Sequence, residues 1–191
     1  MQMPDGSTKN VLDLFRLDGR RALVTGGSKG LGYVFAQALA EAGAEVVINS
    51  RNQTECQQAA HELAQITGRR VIGIAGDVAD AAQVEQLRAT AESQLGPIDI
   101  LINNAGITYQ KSFATHTMED WEKIVGINWW GVLYGCHYFL DALEKSGEGH
   151  IVNLSSMSAF VGLPSQTSYC ATKAGVKLLS EAMWAEMARL N

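Results

Sequence analysis

The stretch RALVTGGSKGLGYVFAQALAEAG, Arg21 to Gly43, decides the fold. It opens on a short apolar run, RALVT, breaks into a glycine-rich turn, and continues through YVFAQALAEAG at helical spacing. A strand feeding a helix through such a turn is half of a β-α-β unit. The rest of the chain repeats the pattern. EVVIN (Glu45–Asn49), VIGIA (Val71–Ala75), IDILIN (Ile98–Asn103) and HIVNLS (His150–Ser155) are further strand runs. Helical segments are expected from Thr54 to Thr67, Ala79 to Leu95, Met118 to Lys145, and onward from Ser168. Strands that are apolar almost throughout belong to a parallel sheet covered on both faces. Right-handed crossovers then predict an α/β, doubly wound fold. Residues 1–18 read as a loosely attached leader and 19–191 as one domain.

Composition removes several function classes. The 191 residues are 47% apolar and 18% charged, with a formal net charge of −5 and no basic run. Neither a nucleic-acid surface nor a polybasic membrane patch fits that balance. The cysteines Cys56, Cys136 and Cys170 form no CxxC pair, and His61, His116, His137 and His150 do not cluster as metal ligands, so reduced thiols and no metal are expected. The first residues lack a signal-peptide core, and no run reaches the roughly 18 apolar residues of a membrane helix. The expected setting is soluble and cytoplasmic.

The turn TGGSKGLG, Thr25 to Gly32, suits a pyrophosphate. Glycines let the backbone approach a ligand closely, and the following helix presents free N–H groups. Its glycines, Gly26, Gly30 and Gly32, depart from the common G-x-G-x-x-G spacing. The end of the second strand indicates which dinucleotide. An acidic residue there would meet a free ribose 2′-hydroxyl. This chain has Ser50, Arg51 and Asn52 instead, and Lys29 lies within the glycine turn. Two cations and no acid favour a 2′-phosphate, hence NADP(H), although either cation alone could be a solvated surface charge. The fold is therefore expected to be of Rossmann type, with Gly26, Ser28, Lys29, Gly30, Leu31, Gly32, Ser50, Arg51 and Asn52 around the nucleotide.

Near the other end, SYCATK places Tyr169 and Lys173 four residues apart, on one face of a helix. A phenol with an ordinary pKa of about 10 is a poor base at neutral pH. A neighbouring ammonium favours the phenolate and brings proton transfer into reach. Alone, a tyrosine and a lysine at this spacing are common surface residues.

Taken together, TGGSKGLG, GDV (Gly76–Val78), NNAG (Asn103–Gly106), the asparagine of GINWWG (Asn128), NLSS (Asn153–Ser156) and YCATK (Tyr169–Lys173) resemble the short-chain dehydrogenases/reductases. The resemblance runs from about Asp18 to Asn191. It implies that Tyr169 exchanges a proton with the substrate oxygen, that Ser156 hydrogen-bonds that oxygen, and that Lys173 binds the nicotinamide ribose. Ser155 and Ser158 are alternatives by residue type, with the spacing favouring Ser156. It further implies that Asn128 interrupts its helix and holds a water linking Lys173 to solvent. Asp77 and Val78 would meet the adenine, and Asn103, Ala105 and Gly106 the adenosine ribose. The partner would be a small carbonyl or alcohol substrate. A homodimer or homotetramer would form through the helices carrying Asn128 and Tyr169.

Other residues read as packing. Trp129 and Trp130 fit buried packing or a subunit contact better than a substrate pocket, Cys170 is expected in the core, and Met183, Trp184 and Met187 look like a packing stripe. Members of the family usually continue beyond this helix with further strands and a substrate-covering segment. The sequence thus reads as a C-terminally incomplete member, lacking the last strands of the family fold. Two functions follow: an NADP(H)-dependent carbonyl reductase or alcohol dehydrogenase, or a nucleotide-binding or assembly module with little turnover. The first residues resemble gluconate 5-dehydrogenase-like and tropinone-reductase-like enzymes, without fixing a substrate.

Overall fold

Successive strand side chains point to opposite faces, so a strand apolar at every position needs cover on both sides. The computed structural model describes residues 10–187 and meets that demand. Strands β1 (Arg21–Thr25), β2 (Glu45–Ser50), β3 (Val71–Ala75), β4 (Ile100–Asn103) and β5 (His150–Asn153) pair in parallel in the order β3-β2-β1-β4-β5. Register places Val24 beside Ile48 on one side and Ile102 on the other. The chain winds outward from β1 in both directions. The crevice above the strand ends, where the order reverses, is where such sheets bind ligands.

Helices α1 (Gly30–Glu41) and α2 (Gln53–Thr67) cover one face. There Ala36 and Ala40 of α1 and Leu63 of α2 close over Ala22, Val24, Val46 and Ile48. On the other face Leu87 of α3 (Ala81–Leu95) and Phe139 of α5 (Gly131–Lys145) bury Leu23, Val47 and Leu101. Each large side chain removed from water in this way contributes roughly 1.5–3 kcal/mol. Helix α6 (Thr167–Met187) lies beside α5, with Val176 against Val132 and Cys136. Asn52 caps α2, Asp80 caps α3, and a Thr117–Asp120 capping box starts α4 (Met118–Val125).

Several expectations need correction. The helix expected from Met118 to Lys145 stays helical throughout but is not α-helical throughout: a π turn, Gly126–Trp130, separates α4 from α5 at Asn128, the residue expected to interrupt it. IDILIN forms a strand only from Ile100, because Asp99 turns its carboxylate onto the Arg21 N–H at 2.8 Å. Residues 1–9 of the expected leader lie outside the described residues. The rest of it is not wholly loose. Val11–Phe15 is an exposed 3-10 turn, but Leu17 packs on the core and its N–H donates to the Ala42 carbonyl at 2.8 Å. Trp184 is no packing residue in the described structure, where it is 75% exposed. Cys170 is half-buried rather than core, with its Sγ near the Leu163 N–H at 3.4 Å.

Candidate active site

The glycine turn is shaped by backbone crowding. Gly26 and Gly30 have φ of +63° and +59°, a region costly for residues with a Cβ. A Cβ on Gly32 would sit 2.2 Å from the Gly26 carbonyl oxygen, so no larger residue fits where α1 meets the turn. Lys29 is the N-cap of α1 in extended conformation, and its side chain makes no capping bond. The first N–H groups of α1 therefore remain open to a phosphate. These features fit a dinucleotide pyrophosphate.

Leu31 lies exposed beside the turn, and Ser28 is half-buried within it. At the end of β2, Arg51 is exposed. Lys29 is also exposed, with its ammonium 3.6 Å from Glu55. Ser50 donates to the Asn52 carbonyl at 3.1 Å, and the Asn52 side-chain oxygen caps α2, leaving the Asn52 amide nitrogen for a ligand. Asp77 follows β3, one oxygen accepting the Ala79 N–H at 3.0 Å. Val78 is buried against Gly131, so only its backbone can face a ligand.

The two asparagines of NNAG part company. Asn103 points inward, its amide donating to Asn153 at 2.8 Å, with Gly135 of α5 close above. Its side chain is thus engaged inside the fold, which leaves its backbone to line a ribose. Asn104, which sequence reasoning passed over, donates to the Thr25 and Gly26 carbonyls at 2.9 and 3.2 Å and so holds the glycine turn. Thr25 completes the joint by accepting the N–H groups of Asn104 and Ala105 at 3.0 and 3.1 Å. The doubled asparagine was the available signal.

Tyr169 lies in the first turn of α6, and the Lys173 ammonium is 5.7 Å from the centre of its ring. Lys173 is only 5% exposed and donates to the Leu154 carbonyl, just past β5, at 2.5 Å. Burial lowers its pKa from the usual lysine value. Asn128 sits fully buried in the π turn, where its oxygen accepts the Ile107 N–H and its nitrogen donates to the Ile107 carbonyl, both at 2.8 Å. A Cβ on Gly106 would lie 3.3 Å from Asn128 Oδ1 and 3.8 Å from Lys173 Nζ, which brings the ends of β4, α4 and α6 to one point.

The three candidate serines differ. Ser155 donates to the Lys173 carbonyl at 2.9 Å, and Ser158 is buried. Ser156 is half-buried, and its oxygen accepts the Ser158 N–H at 3.1 Å while its own proton stays available. Trp129 packs on α6, where a Cβ on Gly175 would lie 2.9 Å from its ring, whereas Trp130 is partly exposed and stacks on Tyr134 at 5.7 Å.

The pattern of the short chain dehydrogenase family matches residues 20–191. The chain belongs to that family. It is 37% identical over 167 residues to a 2,5-dichloro-2,5-cyclohexadiene-1,4-diol dehydrogenase of Sphingobium indicum, and 36% identical over 169 residues to an NADP-dependent (R)-specific alcohol dehydrogenase of Lentilactobacillus kefiri. Each match covers 87% of this chain and 66% of the relative, so the chain spans just under two thirds of their length. A crystal structure of a gluconate 5-dehydrogenase from Burkholderia cenocepacia, in complex with NADP and tartrate, superposes with a TM-score of 0.89 at 37% identity, covering 94% of this chain and 70% of that one. The chain thus shares its parallel sheet, covered by helices on both sides, with that gluconate 5-dehydrogenase.

Proposed function

We propose that the chain is the nucleotide-binding and catalytic part of an NADP(H)-dependent oxidoreductase that interconverts a ketone or aldehyde with its alcohol. The observation carrying this reading is the buried Lys173 ammonium beside the Tyr169 ring, at the carboxyl ends of β4 and β5. A bound nicotinamide supplies the hydride acceptor for oxidation or the donor for reduction. The protein's own part is proton transfer and orientation. In oxidation Tyr169 takes the hydroxyl proton, and in reduction it returns one to the carbonyl oxygen. Ser156 donates a hydrogen bond to that oxygen, where negative charge develops. Lys173 stabilises the negative phenolate oxygen and holds the cofactor ribose. Asn128, with both side-chain ends engaged by Ile107, fixes the floor beneath Lys173 and leaves only its backbone for a water.

Arg51 at the end of β2 and Lys29 in the glycine turn support the preference for a 2′-phosphate, since the end of β2 carries no acid in Ser50-Arg51-Asn52. The relative from Lentilactobacillus kefiri is described as NADP-dependent, and the Burkholderia structure holds NADP. Residues 19–191 would act as one domain.

A second reading has its own support. Among the described residues nothing pairs with the outer edge of β5, and a groove of 1240 Å³ runs along it. The 191-residue chain could therefore bind nucleotide without efficient turnover. Fluorescence titration with NADPH and NADH, alongside alcohol oxidation by the chain and by Tyr169→Phe, separates the two. At least tenfold tighter NADPH binding supports the cofactor assignment. Turnover that Tyr169→Phe abolishes supports the enzyme. NADPH binding without turnover supports the binding module.

A further inference from the structure

Two loops flank Ser156 and Tyr169: residues 107–117 between β4 and α4, and residues 154–166 between β5 and α6. They are joined. The Lys111 N–H donates to the Ser165 carbonyl at 3.0 Å, and His116 Nε2 lies 3.0 Å from the hydroxyl of Ser168, which adjoins Tyr169. Lys111 is the sole Lys, Arg, Asp or Glu in the two loops. Its ammonium is already paired with Asp120 at 2.6 Å.

Among the described residues, the other lysines beside these loops on α6 are engaged too. Lys173 is held by the Leu154 carbonyl, and Lys177 pairs with Glu181 at 2.6 Å while lying 5.1 Å above the Phe160 ring. His116 offers nothing further, because its Nδ1 is buried. The loop that leads from Ser156 instead exposes apolar side chains: Met157 is 78% and Phe160 67% exposed, and Val161 and Leu163 are exposed beside them.

We infer that the substrate is an uncharged secondary alcohol or its ketone, carrying an apolar group that packs on Met157 and Phe160, and is not a sugar acid. The inference rests on the assignment of Tyr169 as the proton-transfer residue. A carboxylate brought between these loops would lose water without gaining a free cation, which strongly disfavours it. An apolar group there removes the exposed Met157 and Phe160 surfaces from water, and one such contact commonly discriminates by about tenfold or more.

The test compares 1-phenylethanol with gluconate on the purified chain in the presence of NADP+. Binding is followed by saturation-transfer NMR, and oxidation by the appearance of NADPH. The expected result is saturable binding of 1-phenylethanol, with kcat/KM at least about tenfold above that for gluconate. Met157→Ser/Phe160→Ser should weaken binding of 1-phenylethanol about tenfold and leave NADP+ binding unchanged. Equal or better binding of gluconate overturns the inference. So does an unchanged affinity of the double variant, or failure of 1-phenylethanol to bind a chain that binds NADP+. Full oxidation by Tyr169→Phe would instead overturn the catalytic assignment, and the NMR preference between the two alcohols would still decide the substrate class.

Discussion

Lys173 is held in the fold against its own stability. Burial lowers its pKa, so the unfolded chain binds this proton more tightly than the folded one. Stability therefore rises with pH as the pH climbs towards the ordinary lysine value of 10.5, and the cost is fully present below the lowered folded value. Lys173→Met should raise the melting temperature at pH 7, by about 2–4 °C if the net gain is ~1 kcal/mol, and should abolish turnover. The difference in melting temperature should shrink as the pH is raised. A variant that melts lower at pH 7 would refute the account. The nucleotide end has a residue-scale test of its own. Glu55 competes for Lys29 at 3.6 Å, so Glu55→Gln should tighten NADPH binding about two- to fivefold. Arg51→Ala should weaken it about tenfold and leave NADH unaffected, both read by fluorescence titration.

The elements were legible where a local pattern determines them, and obscure where a distant contact does. Apolar runs such as RALVT and EVVIN place their strands because no other element buries so many adjacent apolar residues. The glycine turn is legible because Gly26 and Gly32 answer to local crowding. Strand parity separates Asn103 from Asn104: Asn103 shares the face of Leu101, which packs beneath α5. The π turn depends on Asn128 reaching Ile107, and the joint between the two loops depends on His116 reaching Ser168, 52 residues away. No local spacing announces either.

That joint gives two predictions for the element it holds. Without His116 the buried Ser168 hydroxyl loses its partner. His116→Ala should lower kcat about tenfold with little change in the KM for NADPH, and speed amide exchange in the first turn of α6. His116→Gln, whose amide extends as far as the Nε2 that meets Ser168, should recover most of the loss. Unaltered exchange in His116→Ala would show that the bond does not anchor α6. The same loop has an acid limit. Hydrogen bonds from Lys111, then from Thr117, hold Asp120 down to a pKa of about 2. That contribution is fully present above the ordinary value of 3.8 and fades as the pH falls towards 2. Emission from Trp121, which packs on His116, should change across that interval, and Asp120→Asn should remove the change.

At the scale of the whole molecule two surfaces compete to bring copies together. One is the helical side, where Trp130 and Tyr134 of the π turn and α5, and Leu178 of α6, meet solvent. We propose this side as the homo-oligomer contact. The other is the outer edge of β5, where His150 and Val152 are exposed beside a groove that also reaches Met183 and Trp184. An unpaired strand edge offers N–H and C=O groups to any extended segment, and where the β5 edge of one copy meets the outer β3 edge of the next, association does not close at a fixed number of copies. The purified 191-residue chain should therefore form higher species that grow with concentration, together with any dimer made through the helices. Val152→Lys places a charge on the edge without touching α5 or α6, so it should suppress the open-ended species and spare a dimer. Trp130→Glu should do the reverse. Light scattering behind size-exclusion chromatography reads both. If Val152→Lys leaves the large species unchanged, the β5 edge is not the route by which copies associate.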